Sequence, residues 1–316
     1  MPRALEVYSG ETAHIARTPK GLWGWGATIL VCWGLSHLGS STRPASPSPA
    51  FPRSPSSRPA PWEKHRMVTD VSMKGDQTFI LTPVGTVMSG FMALWFTGEV
   101  EQDNSHLFHP VAVPTDFVPD HIMHDGGFFS STVILSMGNR QMISGRNDCG
   151  RLGLGHQNEM SRFVDLPYRV DRIVTYEENF AVFLSDRQLL FAGPVTPHIA
   201  QSGLLPGHSR GDICLTPTPL QFPERAKGFF FYHDQILRVT EGVTHSFNAW
   251  DKLCIAPIEA TAFNDHDGRA CIEFRDSADQ WFSVAKVSDG TAKLVEEEAP
   301  STWKEITPVD VDPTPQ

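Results

Sequence analysis

Short runs of apolar residues, separated by turn residues, recur along most of the chain. The clearest pair is residues 132–135 (TVIL) and residues 141–144 (QMIS), with Gly138-Asn139 between them and Gly145 after them. Two short runs that flank a glycine and asparagine turn are typical of a β-hairpin. We therefore predict a hairpin that ends at Gly145.

The same order of run, turn, run and closing glycine is repeated elsewhere. One hairpin cannot bury both of its faces, so each copy needs neighbours of the same kind. Self-similarity near fifty residues indicates a propeller or solenoid of β units. Clear copies lie at residues 13–26, 78–90 and 181–193, weaker ones at 236–247 and 270–285, and the closing glycines are Gly26, Gly90, Gly145 and Gly193.

A glycine-rich loop follows the clearest hairpin, with Asn147, Gly150, Leu152, Gly153 and Gly155 in close succession. Such spacing is typical of a tight loop in which several residues adopt positive φ. A phosphate-binding loop would need a lysine and a serine or threonine directly after the glycines, and none stands in that register. We therefore assign these glycines to the repeat.

Residues 125–167 resemble one repeat of the regulator of chromosome condensation family. That repeat has paired glycines, a strand, a turn, a strand ending in Trp-Gly, the motif Asn-x-x-Gly-x-Leu-Gly-x-Gly, and a proline. Ser144 stands where the family has tryptophan, and Phe128-Phe129 stand where it has histidine, whereas the first copy keeps Trp25-Gly26. The matching positions are Gly126-Gly127, Gly145, Asn147, Gly150, Leu152, Gly153, Leu154, Gly155 and Pro167.

The resemblance covers roughly residues 5 to 290 and implies an all-β fold. We expect a β-propeller of about six blades, within a range of five to seven, that need not be complete. The expected divisions are residues 1–39 for the first blade, 40–65 for a Pro/Ser-rich disordered insertion, 66–120, 121–170, 171–225, 226–260 and 261–294 for the other blades, and 295–316 for an acidic tail.

The resemblance also implies a function based on binding. Propeller loops stand on rigid sheets, and such loops are where recognition concentrates. Our first hypothesis is a non-catalytic protein-interaction scaffold. The alternative is a guanine nucleotide exchange factor for a small GTPase, which would weaken the hold of the GTPase on phosphate and magnesium without a catalytic acid or base. The candidate interaction loop contains Asn147, Asp148 and Arg151, whose other explanation is turn geometry.

The charge and the cysteine content of the chain limit the kinds of partner and compartment that we expect. The 316 residues are 40% hydrophobic, which is enough for a substantial core. With 26 basic and 36 acidic residues, the net charge is −10, so a nucleic acid is not the expected partner. Five scattered cysteines, at positions 32, 149, 214, 254 and 271, lack CxxC spacing and indicate a reducing compartment, cytoplasmic or nuclear.

Residues 21–39 give a competing signal, because they contain no Asp, Glu, Lys or Arg and are long enough to cross a bilayer. Five glycines, Thr28, Ser36 and His37 weaken this interpretation. A membrane-anchored protein with a span at 21–39 is therefore our second alternative. A membrane is not among the partners we expect.

The two other unusual segments are rich in proline. Residues 40–61 contain many serines and prolines and cannot form a sheet ladder, so we expect a disordered loop. The acidic segment 295–316 is expected to be a tail in which Trp303 and Ile306 could dock on the body. In a propeller the two chain ends often share one blade, and this possibility stays open here.

No enzyme motif is found in the sequence: GxSxG, HExxH and GxxxxGK[ST] are all absent. Four histidines, His106, His109, His121 and His124, would suit zinc. Residues three apart in a strand point to opposite faces, however, and the nearby prolines disfavour a helix. We therefore predict no catalytic, cofactor-binding or metal residues, no cofactor, and no enzymatic activity.

Overall fold

A computed structural model of the chain describes eleven stretches of residues. These are 3–10, 13–19, 21–26, 67–98, 107–127, 130–176, 179–232, 235–248, 253–265, 272–286 and 292–314. The chain divides into two compact units, each described separately below. Unit 1 is Met1–Asp148 with His156–Arg169, and unit 2 is Cys149–Gly155 with Val170–Gln316.

The described part of unit 1 contains three antiparallel sheets and one short helix. Sheet A has the order β1-β2-β3: β1 (Glu6–Ser9), β2 (Ala13–Thr18) and β3 (Gly21–Gly26). Sheet B has the order β4-β5-β6-β7: β4 (Asp70–Lys74), β5 (Gln77–Thr82), β6 (Gly85–Gly90) and β7 (His109–Pro110), with helix α1 (Leu94–Thr97) before β7. Sheet C has the order β11-β10-β9-β8: β8 (His121–Gly127), β9 (Ser130–Met137), β10 (Arg140–Gly145) and β11 (Val164–Asp165).

The described part of unit 2 likewise contains three antiparallel sheets. Sheet D has the order β12-β13-β14-β15: β12 (Arg172–Tyr176), β13 (Ala181–Ser185), β14 (Gln188–Pro194) and β15 (Ile213–Pro219), with helix α2 (Pro197–Gln201) before β15. Sheet E has the order β19-β18-β17-β16-β25: β16 (Ala226–Tyr232), β17 (Gln235–Thr240), β18 (Val243–Asn248), β19 (Leu253–Ala256) and β25 (Thr307–Val311). Sheet F has the order β23-β22-β21-β20-β24: β20 (Ala262–Asp265), β21 (Ile272–Arg275), β22 (Trp281–Lys286), β23 (Ala292–Glu297) and β24 (Lys304–Glu305).

The predicted hairpins are confirmed, including the two weaker ones, which form β17–β18 and β21–β22. In the clearest copy, Leu135 on β9 pairs with Met142 on β10, and Ile134 pairs with Ile143. All four of these side chains are buried. Strands such as β5 and β17 are buried at every position, so their runs are apolar on both faces rather than strictly alternating.

The closing glycines are required by close backbone contacts. A Cβ atom added to Gly90, Gly145 or Gly193 would lie 1.9, 2.1 or 2.7 Å from the carbonyl oxygen of a residue shortly before or at the start of the preceding strand. Their φ angles are +126°, +142° and +117°, which side chains rarely adopt. The same local geometry thus recurs in sheets B, C and D. Those oxygens belong to Asp76, Ser131 and Asn179.

The turns between the second and third strands of sheets A and B also match. The hydroxyl of Thr18 donates a hydrogen bond of 2.8 Å to the carbonyl oxygen of Gly21, and that of Thr82 donates one of 2.6 Å to Gly85. Both turns have the sequence Thr-Pro-x-Gly, and both glycines have positive φ. Proline presets the turn while glycine supplies the left-handed conformation.

Each unit has its own apolar core. In unit 1, Phe79 and Leu135 belong to one cluster shared by sheets B and C, and Phe96 of α1 packs edge-on to Phe79 at a ring distance of 5.2 Å. In unit 2, Phe231 of sheet E lies 4.3 Å from the ring of Phe180, which precedes β13 of sheet D. The apolar residues 229–232 are part of β16.

The segment expected to be an acidic tail contains strands instead. β24 pairs with β20, and β25 pairs with β16, so residues 304–311 extend sheets F and E. The side chains of Ile306, Val309 and Val311 are 4%, 8% and 1% exposed. Alternation of these aliphatic residues with acidic ones lets one face of the segment be buried despite its charge. Ile306 docks on the body as the sequence suggested, whereas Trp303 is 48% exposed.

The first part of the competing membrane segment is a strand. Gly21–Gly26 forms β3 and pairs with β2 along its whole length. Residues 27–39 lie outside the described residues, as does the Pro/Ser-rich insertion up to residue 66. Within the described part of the chain, no helix has the length and apolar character needed to cross a membrane.

We predict that Gly145→Ala lowers the free energy of unfolding by about 3 kcal/mol or more, because the methyl group would overlap the Ser131 carbonyl and force β9 and β10 apart. Gly138 is the matched control. Its φ is +60° and nothing lies within 4 Å of its added Cβ, so Gly138→Ala should cost only about 1 kcal/mol. Urea unfolding measures both. Equal losses for the two variants would contradict the close-contact role.

Candidate interaction loop

Asn147 is the residue that fixes the loop after sheet C. Its side chain is 1% exposed. The Nδ2 amide donates hydrogen bonds of 2.9 Å to the carbonyl oxygen of His156 and 3.2 Å to that of Asn158, and it lies 3.2 Å from His156 Nδ1. The backbone N–H of Asn158 also donates to His156 Nδ1 at 3.2 Å. Asn147 thereby joins the two chain segments of the loop that belong to unit 1.

The other end of the loop is held by Ser144. Its hydroxyl is buried and lies between two carbonyl oxygens, 2.5 Å from that of Trp95 and 3.1 Å from that of Arg162, which share its single proton. This serine occupies the position at which the repeat of the regulator of chromosome condensation family has a tryptophan. A small hydroxyl side chain here allows the backbone of residue 162 to approach β10 closely enough to be bonded.

The side chains that reach solvent lie beside these anchors. Arg146 Nη2 contacts Asp148 Oδ2 at 2.7 Å, and their side chains are 27% and 42% exposed. Residues 157–159 and 161–162 are exposed, while Met160 is buried. We call residues 146–148 and 156–162 the candidate loop. It displays both charge signs and amide groups on a backbone fixed by buried Asn147 and Ser144, an arrangement suited to protein recognition.

Arg151, the third residue proposed from the sequence, lies in unit 2 and is 1% exposed. The stretch Cys149–Gly155 has its own contacts within that unit. Gly153 N–H donates to the carbonyl oxygen of Gly150 at 3.1 Å, and Gly155 N–H donates to that of Leu215 at 2.8 Å. Of the three residues, only Asp148 is exposed. Their role as an interaction site stays a prediction.

The two histidines of β8 differ in exposure, as expected for residues three apart in a strand. His121 is exposed, and His124 is 9% exposed. His109 lies in β7, and His106 lies outside the described residues. Within the described part of the chain, no group of three or more His, Cys, Asp or Glu residues is arranged to hold a metal ion.

His124 instead joins sheets B and C through a buried polar network. Its Nε2 lies 3.2 Å from Gln77 Oε1, and its Nδ1 lies 3.2 Å from Ser72 Oγ. Ser131 Oγ donates to the same Gln77 oxygen at 2.7 Å, and Gln77 Nε2 donates to the carbonyl oxygen of Phe91 at 2.8 Å. Because an amide oxygen only accepts, the ring carries its proton on Nε2 and accepts from Ser72 on Nδ1.

Burial strongly favours the neutral ring. Desolvation, followed by the nearby charge of Lys74, lowers the pKa of His124 from 6.5 to about 3. The ring of Phe79 stands edge-on at 5.0 Å and helps to exclude water. A strongly perturbed pKa can indicate a reactive group. Here every ring nitrogen has a hydrogen-bond partner in the core, so the network is structural.

Comparison with protein-family models found no match, and neither did comparison with curated protein sequences. Solved structures are similar, however. Human WBSCR16 matches with a TM-score of 0.55 at 16% identity, covering 98% of this chain and 82% of that one. Prp20p of Saccharomyces cerevisiae matches with a TM-score of 0.52 at 13% identity, covering 98% of this chain and 76% of that one, and its structure is described together with its binding to Gsp1p and histones.

These similarities show the fold. Both neighbours are β-propeller proteins of the regulator of chromosome condensation family. The present chain is therefore an all-β propeller protein with about six sheets, as the repeat pattern predicted. At this level of sequence identity the comparison says nothing about activity.

The sequence analysis named Asn147, Ser144 and His124 but not their roles, and it missed Gln77 and Ser131. The available signal was that Gln77 and Ser131 are polar residues within apolar strands. Buried polar residues need partners, but Gln77 meets His124 and Ser131 from another repeat, 47 and 54 residues away, and a local pattern does not identify such partners.

We predict that stability falls as the pH decreases from 6.5 towards 3. The folded-state pKa of His124 lies below its ordinary value, so its contribution is complete above pH 6.5 and is lost at about 1.4 kcal/mol per pH unit on acidification. His124→Gln should be less stable at pH 7 and should lack this part of the slope. His121→Gln should keep it, because that ring is exposed. Urea unfolding between pH 7 and 4 decides, and an unchanged slope in His124→Gln would contradict the assignment.

We also predict that Asn147→Ala lowers the free energy of unfolding by about 2 kcal/mol, because it leaves two carbonyl oxygens of the loop without their donor. Asn158→Ala keeps the backbone groups and an exposed position, so it should change stability by less than about 0.5 kcal/mol. Thermal unfolding of both variants tests this difference. Similar melting temperatures would show that Asn147 does not hold the loop.

Proposed function

We propose that this chain is a non-catalytic protein-interaction scaffold built on a propeller that resembles the regulator of chromosome condensation family. The observation that carries the proposal is the candidate loop. Two buried polar side chains, Asn147 and Ser144, fix its backbone, while Arg146, Asp148 and the exposed residues of 156–162 face solvent. A fixed loop with exposed charged groups loses little conformational entropy on binding.

A second candidate function is supported by one structural neighbour. Prp20p is described as binding Gsp1p and histones. By analogy, the alternative for this chain is a guanine nucleotide exchange factor for a small GTPase. Exchange of this kind needs no catalytic acid or base, because loops pressed against the GTPase loosen its contacts with phosphate and magnesium.

The net charge and the cysteine spacing support a protein as the partner. The net charge of −10 disfavours a nucleic acid and a phosphate-rich membrane surface. The five cysteines are scattered along the sequence and lack CxxC spacing. We place the protein in a reducing compartment, the cytoplasm or nucleus, with a protein as its partner.

We predict that partner capture depends on the candidate loop. In cells, proximity cross-linking with the wild-type chain should retain a protein that the double variant Arg146→Ala, Asp148→Ala loses by ten-fold or more. The matched control is Arg140→Ala, Asp165→Ala. It removes an ion pair of the same length, 2.7 Å, from the other end of β10.

Retention of the same proteins by both double variants would contradict the role of the loop. The exchange alternative is tested separately, by release of a labelled guanine nucleotide from a panel of purified small GTPases. Faster release at substoichiometric concentration would establish exchange activity. No acceleration across the panel would leave the scaffold.

A further inference from the structure

The C-terminal segment, residues 304–314, lies against sheets E and F of unit 2. It follows residues 298–303, which belong to no strand and are mostly exposed. Its first strand, β24, pairs with β20, and its second, β25, pairs with the edge of β16. The edge of β16 is thus covered by β25.

The segment fills apolar pockets with alternate side chains. Ile306 packs in the cluster between sheets E and F, and Val309 and Val311 pack in the cluster between sheets D and E. A Cβ atom added to Gly228 would lie 3.0 Å from Cγ2 of Ile306. The missing side chain at Gly228 therefore forms the notch in which Ile306 lies.

The acidic side chains of the segment meet arginines. Asp310 contacts Arg225 Nε at 2.7 Å and Arg187 Nη2 at 3.3 Å, and Asp312 contacts Arg187 Nη2 at 2.6 Å. Arg172 Nη2 donates to the carbonyl oxygen of Pro308. A basic lining is notable in a chain with a net charge of −10. The apolar clusters and the arginines together favour binding of an extended segment in which aliphatic and acidic residues alternate.

Backbone pairing of the segment is discontinuous. β25 pairs with β16 at Ala226, Gly228 and Phe229, with a register shift between the first two. Separate backbone hydrogen bonds of 2.8 to 3.0 Å join the N–H groups of Ile306, Asp312 and Thr314 to carbonyl oxygens of Thr261, Arg187 and Phe222. Pro308 lies opposite Gly228 and has no N–H to donate. The side chains of the three ion pairs are about half exposed, so each pair is weak by itself and the three together contribute about ten-fold to affinity. On its other side β16 pairs with β17 at five residues, so the ladder beneath the segment does not depend on β25.

We propose that the edge of β16, with Gly228, Arg172, Arg187 and Arg225, is a strand-docking groove for an extended acidic segment of a protein partner. The C-terminal segment occupies this groove in cis. Docking combines backbone pairing, alternate apolar pockets and charge complementarity, the usual basis of β-strand addition. The proposal rests on the scaffold function and adds the chemical class of the ligand.

Competition from the tethered segment sets a condition on the partner. A short tether gives the cis segment an effective concentration on the order of millimolar. A free peptide of the same sequence should therefore bind the intact chain weakly. A protein partner can displace the segment when it also contacts a second surface, because the two contacts then act together.

The experiment inserts a protease recognition sequence between Pro300 and Ser301 of the full chain and uses a fluorescent peptide with the sequence of residues 304–314, KEITPVDVDPT. After cleavage, the peptide should bind with a saturable rise in anisotropy. The intact chain should bind the same peptide about 100-fold to 1000-fold more weakly, as the tether requires. A peptide with Asp310→Asn and Asp312→Asn should bind the cleaved chain at least 10-fold more weakly than the parent peptide.

The protein variants supply the control. Arg187→Ala with Arg225→Ala should weaken peptide binding at least 10-fold. Lys227 is a basic residue of β16 that pairs with Glu259 and not with the C-terminal segment. Lys227→Ala should therefore change the affinity less than two-fold. Absence of peptide exchange in the cleaved chain, or equal binding of the Asp and Asn peptides, would overturn the proposal.

A dimer of the intact chain that forms by exchange of this segment, detected by light scattering, would assign the groove to a second copy and would also overturn the proposal. Failure here is distinguishable from failure of the scaffold function. Partner capture that depends on Arg146 and Asp148 tests the candidate loop in unit 1, and it does not involve the groove in unit 2.

Discussion

In sheets B, C and D, the structure depends on close backbone contact within the central hairpin. Where the third strand ends, its glycine must pass a carbonyl oxygen near the start of the second strand at a distance that leaves no room for a Cβ atom. This contact sets the register of the pair, and with it which side chains of the hairpin enter the core. The loop that follows then leaves the sheet from a fixed point, so the position of the candidate loop follows from the geometry of Gly145.

Both units bury apolar clusters between their sheets, and unit 1 adds a buried polar network. Between sheets B and C, a neutral histidine and a glutamine amide are bonded among apolar residues, and such a network is stable only when each member has a partner. In unit 2, clustered phenylalanines fill the space between sheets D and E, with rings of Phe180, Phe191 and Phe231 in contact. Apolar packing is less specific than a polar network, and there the C-terminal segment adds further specificity through its arginine contacts.

The hairpins could be predicted from sequence because their signals are local. An apolar run, a turn and a closing glycine lie within about fifteen residues. The fourth strands of sheets B and C, β7 and β11, are only two residues long and leave no pattern to detect. β25 was missed because its proline and aspartates resemble a solvated tail, although Val309 and Val311 alternate with the acids. The partners of His124 lie 47 and 52 residues away in sequence, and a local pattern does not contain such contacts.

A binding function requires rigid sheets that carry exposed loops, and the proposed groove requires an edge of β16 from which β25 can be displaced. Hydrogen exchange of the intact chain, followed by mass spectrometry, measures this most directly. Slow exchange is expected throughout β5–β6, β9–β10, β13–β14 and β17–β18, with faster exchange in the exposed loop residues and intermediate exchange in residues 307–311. Rapid exchange in the paired strands, or protection of residues 307–311 equal to that of β17, would contradict it.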